Sequence, residues 1–216
     1  MLSELPIKIS NIKLSVKIKA ISASALKNLC DESNVEYKDC VNFIIFKLAA
    51  DGKNEFKYQK KNVKRLKGVK KHIGPQYYTY GIFKPKCEKQ EKIHTNICGL
   101  KEGQIEKAIN KLQVFLKYPP ENIAYEIDTV TGTTTLKHRI NLREFLKNNL
   151  LDSANKIKFN PEAFPALYCT RDKITYSLFS SGCINIVGAK SREDIESKIE
   201  YILQKCLESA STKLNA

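Results

Sequence analysis

The chain nearly repeats itself. Tyr80-x-x-Phe83, Asn96-Ile97-x-Gly99-x-Lys101 and an amphipathic helical stretch are echoed by Tyr176-x-x-Phe179, Asn185-Ile186-x-Gly188-x-Lys190 and a second such stretch. Solenoid units recur every 20–50 residues or so, and the spacing here is longer, which points to one duplicated half-domain. A chain built this way folds as two like halves. The surface they offer suits a partner with a pseudo-two-fold of its own, such as duplex DNA.

Hydrophobic periodicity places the elements. Residues 7–18 alternate, with Ile12, Leu14, Val16 and Ile18 on one face and Lys13, Ser15 and Lys17 on the other, which predicts a half-buried strand. Ser22 is positioned to cap a helix running to about Asn34. Strands are expected at 41–49, 77–84 and 92–98, with Gly99 ending the sheet. Ile105, Ile109, Leu112 and Leu116 share one face of a helix over 104–117.

Pro119-Pro120 breaks that helix, and the pattern resumes after it. Strands are expected at 123–131, 136–140, 166–170, 174–179 and 184–187, and a helix at 142–151. A last helix carries Ile195, Ile199, Ile202 and Cys206 at the spacing of its counterpart. The expected class is α+β, with antiparallel strands and helices on one sheet face. The expected division is a first repeat over 1–118, carrying a basic insertion at 51–76, and a second over 119–216. Strand alternation then leaves Asn96 and Asn185 on the uncovered face of each half.

Charge narrows the partner. A net charge of +14 favours nucleic acid over an acidic protein or a membrane surface. Residues 53–71 alone carry nine lysines or arginines against one glutamate. Seven cysteines form no C-x-x-C pair, are odd in number and mostly sit in apolar contexts, which predicts buried reduced thiols rather than disulfides or zinc. No metal or other cofactor is expected. No apolar stretch approaches the ~18 residues of a membrane span, and the N-terminus lacks the pattern of a signal peptide, so an intracellular protein is expected.

Three motifs in the second half carry a family resemblance. Phe159-Asn160-Pro161-Glu162-Ala163-Phe164-Pro165-Ala166-Leu167-Tyr168, then Ser177-Leu178-Phe179-Ser180-Ser181-Gly182, then Ile186-Val187-Gly188-Ala189-Lys190 resemble, in order and spacing, the second repeat of the TATA-box-binding protein core. The first half is similar more weakly, through Ser10-Asn11-Ile12, Phe83 and Cys98-Gly99. The resemblance implies a TBP-like saddle: two pseudo-symmetric repeats form a curved antiparallel sheet, concave face on a widened minor groove, with helices on the convex face. It implies phenylalanine wedges that kink the duplex, which correspond to Phe164, Phe179 and Phe83, the fourth falling near Cys40 or Val41. It implies further DNA-face positions at Asn11, Lys13, Asn96, Cys98, Thr129, Thr131, Asn185 and Val187. Several of these depart from the family, most of them toward polarity, so altered sequence preference is expected.

In the insertion, Lys60, Lys61, Lys64, Arg65, Lys67, Lys70 and Lys71, and in the second half Arg171, are candidates for phosphate contact. The implied function is a non-enzymatic general transcription factor, divergent and viral or protist in kind. It would bind and bend AT-rich promoter DNA and recruit a transcription factor IIB-like protein and the RNA polymerase machinery, in the nucleus or a viral factory. The competing expectation is an architectural or inhibitory DNA binder. An enzyme is disfavoured, because the duplicated module uses nearly the whole sequence and offers no nucleophile, carboxylate cluster or metal set.

Overall fold

A computed structural model describes residues 5–50, 77–87 and 89–210. They form ten strands and four α-helices: β1 (Lys8–Lys19), α1 (Ala23–Glu32), β2 (Tyr37–Asp39), β3 (Phe43–Ala49), β4 (Tyr77–Phe83), β5 (Lys92–Leu100), α2 (Ile105–Leu116), β6 (Ile123–Thr135), α3 (Leu142–Asn149), β7 (Lys156–Lys158), β8 (Ala166–Arg171), β9 (Ile174–Phe179), β10 (Cys183–Ala189) and α4 (Arg192–Ala210). The chain divides into two compact units, Lys13–Glu126 and a second made of Met1–Ile12 with Ile127–Ala216. Compactness therefore assigns the first dozen residues to the second-half unit. The repeat boundaries expected at 118 and 119 concern internal similarity, a different property.

In the first-half unit the strands run β2-β3-β4-β5-β1, and β2–β3, β3–β4 and β4–β5 pair antiparallel. Leu14, Val16 and Ile18 of β1 are fully buried while Ser15 is half-buried and Lys17 exposed, as the alternation requires. Leu26 and Cys30 of α1, and Ala108, Ile109, Leu112 and Leu116 of α2, are buried over this face. Phe46 stacks on Tyr80 at 5.3 Å, and the Tyr80 hydroxyl donates to the Ala108 carbonyl at 3.0 Å. Each such aliphatic or aromatic side chain contributes about 1.5–3 kcal/mol by leaving water. Ser22 caps α1 by accepting from the Ala25 amide at 3.1 Å.

In the second-half unit the order is β6-β10-β9-β8-β7, with every neighbouring pair antiparallel. Leu142 and Phe145 of α3 and Ile195, Ile199, Ile202, Leu203 and Cys206 of α4 are buried with Leu167, Cys169, Tyr176, Leu178, Ile184 and Ile186 of the strands. Ser10 of β1 donates to the Thr131 carbonyl of β6 at 3.1 Å.

Three expectations need correction, and two strands lie outside them. Gly99 does not end the sheet: β5 continues to the buried Leu100, with Gly99 at φ +89°. Residues 136–140 are not a strand, because their amides at Leu136 and Ile140 bond the turn carbonyls of Gly182 and Ser180 instead of a ladder. β3 begins at Phe43 rather than at Val41, since Cys40 and Phe43 close a turn. The edge strands β2 and β7 were not expected, and three residues each are too few for a period to declare itself.

All seven cysteines are free. Burial pushes the Cys30 and Cys169 thiols up to about 11 and the Cys206 thiol to about 12. The thiolate is the reactive form. Native protein at pH 8 is therefore expected to be alkylated by iodoacetamide at the exposed Cys87, and at Cys30, Cys169 and Cys206 only after unfolding, as read by peptide mass mapping.

Candidate nucleic-acid interface

Strand alternation that buries one face of each sheet leaves the other bare. In the second-half unit the register lines up Tyr168, Ser177, Asn185 and Thr133 across β8, β9, β10 and β6, and beside them Thr170, Thr175, Val187 and Thr131. Thr170 and Thr175 share a hydrogen bond at 2.9 Å. Thr129 and Asn11 are half-buried in the same unit, and Val187 is 41% exposed. This face is dominated by hydroxyls and one amide.

At its β8–β9 end stands an aromatic cluster. The segment before β8 coils so that the Ala163 and Phe164 amides both bond the Asn160 carbonyl, which turns Phe164 outward, 43% exposed. Its ring packs edge-on to Phe179 at 6.1 Å and stacks on Tyr168 at 5.7 Å. Phe164 and Phe179 are thus brought together, and Tyr168 joins them without having been singled out from sequence.

The first-half unit offers Lys47, Thr79 and Cys98 in one row and Ile45, Gly81 and Asn96 in the next. Lys13 lies half-buried in this unit and Lys17 exposed. Phe83, 37% exposed, lies directly opposite Phe43 with ring centroids 5.7 Å apart. Phe43 occupies the register position that Ala166 holds opposite Phe179, so Val41, 89% exposed, falls where the second half has Phe164. The sequence carries no aromatic at Cys40 or Val41. The register supplies one at Phe43, on the same face as Phe83. A groove of about 770 Å³ beside it is lined by Val41, Asn42, Phe83, Lys84, His94 and Asn96 among others.

Arg171 is committed within its own unit. Its guanidinium stacks 4.0 Å over the Tyr201 ring and donates to Asp152 at 3.0 Å, while the Tyr201 hydroxyl donates to the same carboxylate at 2.6 Å. The Tyr201 hydroxyl, the Ala154 amide and Arg171 together hold the Asp152 carboxyl below its usual range. Lys60, Lys61, Lys64, Arg65, Lys67, Lys70 and Lys71 lie outside the described residues. Among the described residues no three or more His, Cys, Asp or Glu gather as a metal site, and no helix is long and apolar enough to cross a membrane.

A sequence profile of the family described as Transcription factor TFIID (or TATA-binding protein, TBP) matches residues 124–208. Over 86 residues the chain is 33% identical to the TATA-box-binding protein of Pyrococcus horikoshii, which is 39% of this chain and 42% of that protein. Over 63 residues it is 38% identical to the TATA-box-binding protein of Methanococcus vannielii, 28% of this chain and 33% of that one. The chain thus matches less than half the length of these relatives. The structure superposes on Methanococcus jannaschii TBP with a TM-score of 0.62 and 23% identity, covering 94% of this chain and 98% of the other, which shows the fold.

Proposed function

We propose that this chain, which belongs to the TATA-box-binding protein family, binds promoter DNA through the uncovered faces of its two units and bends it by unstacking base steps with exposed phenylalanines. The single observation that carries this is the solvent-facing aromatic cluster of Phe164, Tyr168 and Phe179 at the end of a polar sheet face. Apolar rings exposed beside hydroxyls and amides have little to do in water. Against a minor groove the rings wedge and the polar row reads the floor.

The chemistry of that row sets the expected preference. An A·T floor shows only acceptors, which threonine hydroxyls and Asn amide N–H groups satisfy, whereas the Asn carbonyl also accepts from the guanine amino group. Asn96 has the bare Gly81 opposite it, and Asn185 has Ser177. A binding-site selection is therefore expected to return AT-rich sites in which G·C pairs are tolerated at internal positions. Recovery of an ordinary TATAAA-type consensus refutes the altered preference, and no enrichment at all refutes DNA reading. In a salt titration of the affinity, deletion of 53–71 is expected to flatten log K against log salt by about 0.9 for each phosphate this basic segment neutralises.

Downstream, we place the chain in initiation, with a transcription factor IIB-like protein and the polymerase machinery as partners, in the nucleus or a viral factory. A ternary complex of the chain, an AT-rich duplex and a transcription factor IIB-like protein supports this. DNA binding without such a complex supports an architectural or inhibitory role, which the polar character of the face favours.

A further inference from the structure

The two units differ where the opening strand of one repeat meets the second helix of the other. In the first-half unit Tyr125, at the start of β6, donates its hydroxyl to Glu106 of α2. The matching strand position in the second-half unit is Ile7, by the correspondence of Asn11 with Thr129, and the matching helix position is Glu196, by the correspondence of Ile105 with Ile195. Isoleucine has no side-chain donor, and Arg192 makes the tie instead, donating to the Ile7 carbonyl at 3.1 Å and to Glu196 at 3.3 Å. A groove of about 240 Å³ opens there, with Leu5, Ile7, Ile199 and Leu203 as apolar walls and Glu196 and Glu200 at its rim.

Thr134 also lines this groove, 3% exposed, and its hydroxyl has no hydrogen-bond partner. A buried hydroxyl left unsatisfied is costly, so its partner is to be sought in whatever fills the groove. Outward of it, α4 presents Glu193, Glu196, Glu200 and Glu208 along one exposed stripe. The cations of α4 are already committed, Arg192 to Glu196, Lys198 to Asp194 and Lys205 to Glu208. Glu200 has no ion-pair partner among the described residues.

We propose that this groove docks a basic segment of a protein partner, anchored by one arginine or lysine. The volume lies below the ~300–1,000 Å³ of a drug-sized site and suits a single side chain. A long cationic side chain lays its aliphatic stem on the apolar walls and sets its head between the Glu200 carboxylate and the Thr134 hydroxyl, donating to both. Nucleic acid is repelled by the same carboxylates. The docking is independent of the DNA-binding face.

The test uses the full chain and a fluorescein-labelled synthetic peptide of alternating arginine and leucine, followed by anisotropy at physiological salt. The control peptide carries citrulline, which keeps arginine's shape without its charge. Wild-type protein is expected to bind the arginine peptide. Glu200→Gln and Thr134→Val each weaken it about tenfold, and Ile7→Tyr, which installs the first-half donor, weakens it as well. DNA affinity and thermal midpoint stay near wild type in all three. Equal binding of the citrulline peptide, or unchanged binding by Glu200→Gln and Thr134→Val, overturns the proposal. So does binding that appears only after removal of residues 1–4, which assigns the groove to the chain's own terminus. Dimerisation lost in Glu200→Gln assigns it to a second copy and overturns the proposal equally.

Discussion

On the proposed function, alanine at both Phe164 and Phe179 is expected to abolish most of the bending of an AT-rich duplex, and to weaken binding by about 2–4 kcal/mol, the range of interface hot spots. In affinity that is roughly 30- to 1,000-fold. The effect is large because the rings are held ready. Phe164 is stacked on Tyr168 and set edge-on to Phe179, so little side-chain entropy is lost when they enter a base step. The fold is expected to tolerate the change, since Phe164 is 43% exposed and Phe179 only half-buried. End-to-end fluorescence transfer on a doubly labelled duplex measures the bend, and equilibrium unfolding confirms the fold. Unchanged transfer at saturating protein rules out the wedge role.

Gly188→Ala is expected to be the most destabilising single methyl in the molecule's repeated motif, at about 3–5 kcal/mol, against about 1–2 kcal/mol for Gly99→Ala. The two glycines hold the same place in the repeat, at φ +107° and +89°. What separates them is the neighbour: a Cβ on Gly188 would sit 2.6 Å from the Lys173 carbonyl oxygen, whereas one on Gly99 would sit 3.2 Å from that of Tyr77. The Lys173 carbonyl has little freedom to retreat, because Asp172 and Lys173 form the β8–β9 turn with both φ positive, at +50° and +67°. Two such residues are what a two-residue hairpin of this twist demands. Urea unfolding of the two variants decides the point, and equal losses would show that the positive φ alone, not the close carbonyl, requires glycine at 188.

Long-period features of this fold were legible and cross-strand ones were not. The alternation of β1 and the apolar faces of α2 and α4 are written in stretches of ten or more residues, enough for a period to emerge. β2 and β7 are too short for that, and residues 136–140 look like a strand because Leu136 and Ile140 are apolar, yet they are buried as loop anchors. At the candidate site, Phe164 and Phe179 stand out in the sequence because their motifs resemble the family's in order and spacing, and the structure adds that their rings lie together. Phe43 was missed because its meaning comes from lying opposite Phe83, a register that no linear spacing states. The same holds for Arg171, whose partners Asp152 and Tyr201 come from other elements. The sequence offers Arg171 as a candidate for phosphate contact, and the structure adds its intramolecular partners.

The allocation of residues 1–12 to the second-half unit has a consequence for biosynthesis. Ser10 finds the Thr131 carbonyl 121 residues later in the chain. At translation rates of about 5–20 residues per second, the edge of β1 that faces β6 waits roughly 6–24 s for its mate, although β5 on its other side is made sooner. During that interval an open strand edge is a template for wrong pairing. Lys8, Lys13 and Lys17, spaced along one strand otherwise rich in isoleucine, leucine and valine, put repelling charge on every nascent copy. On that account they keep the first strand soluble until the chain that completes its sheet has been made.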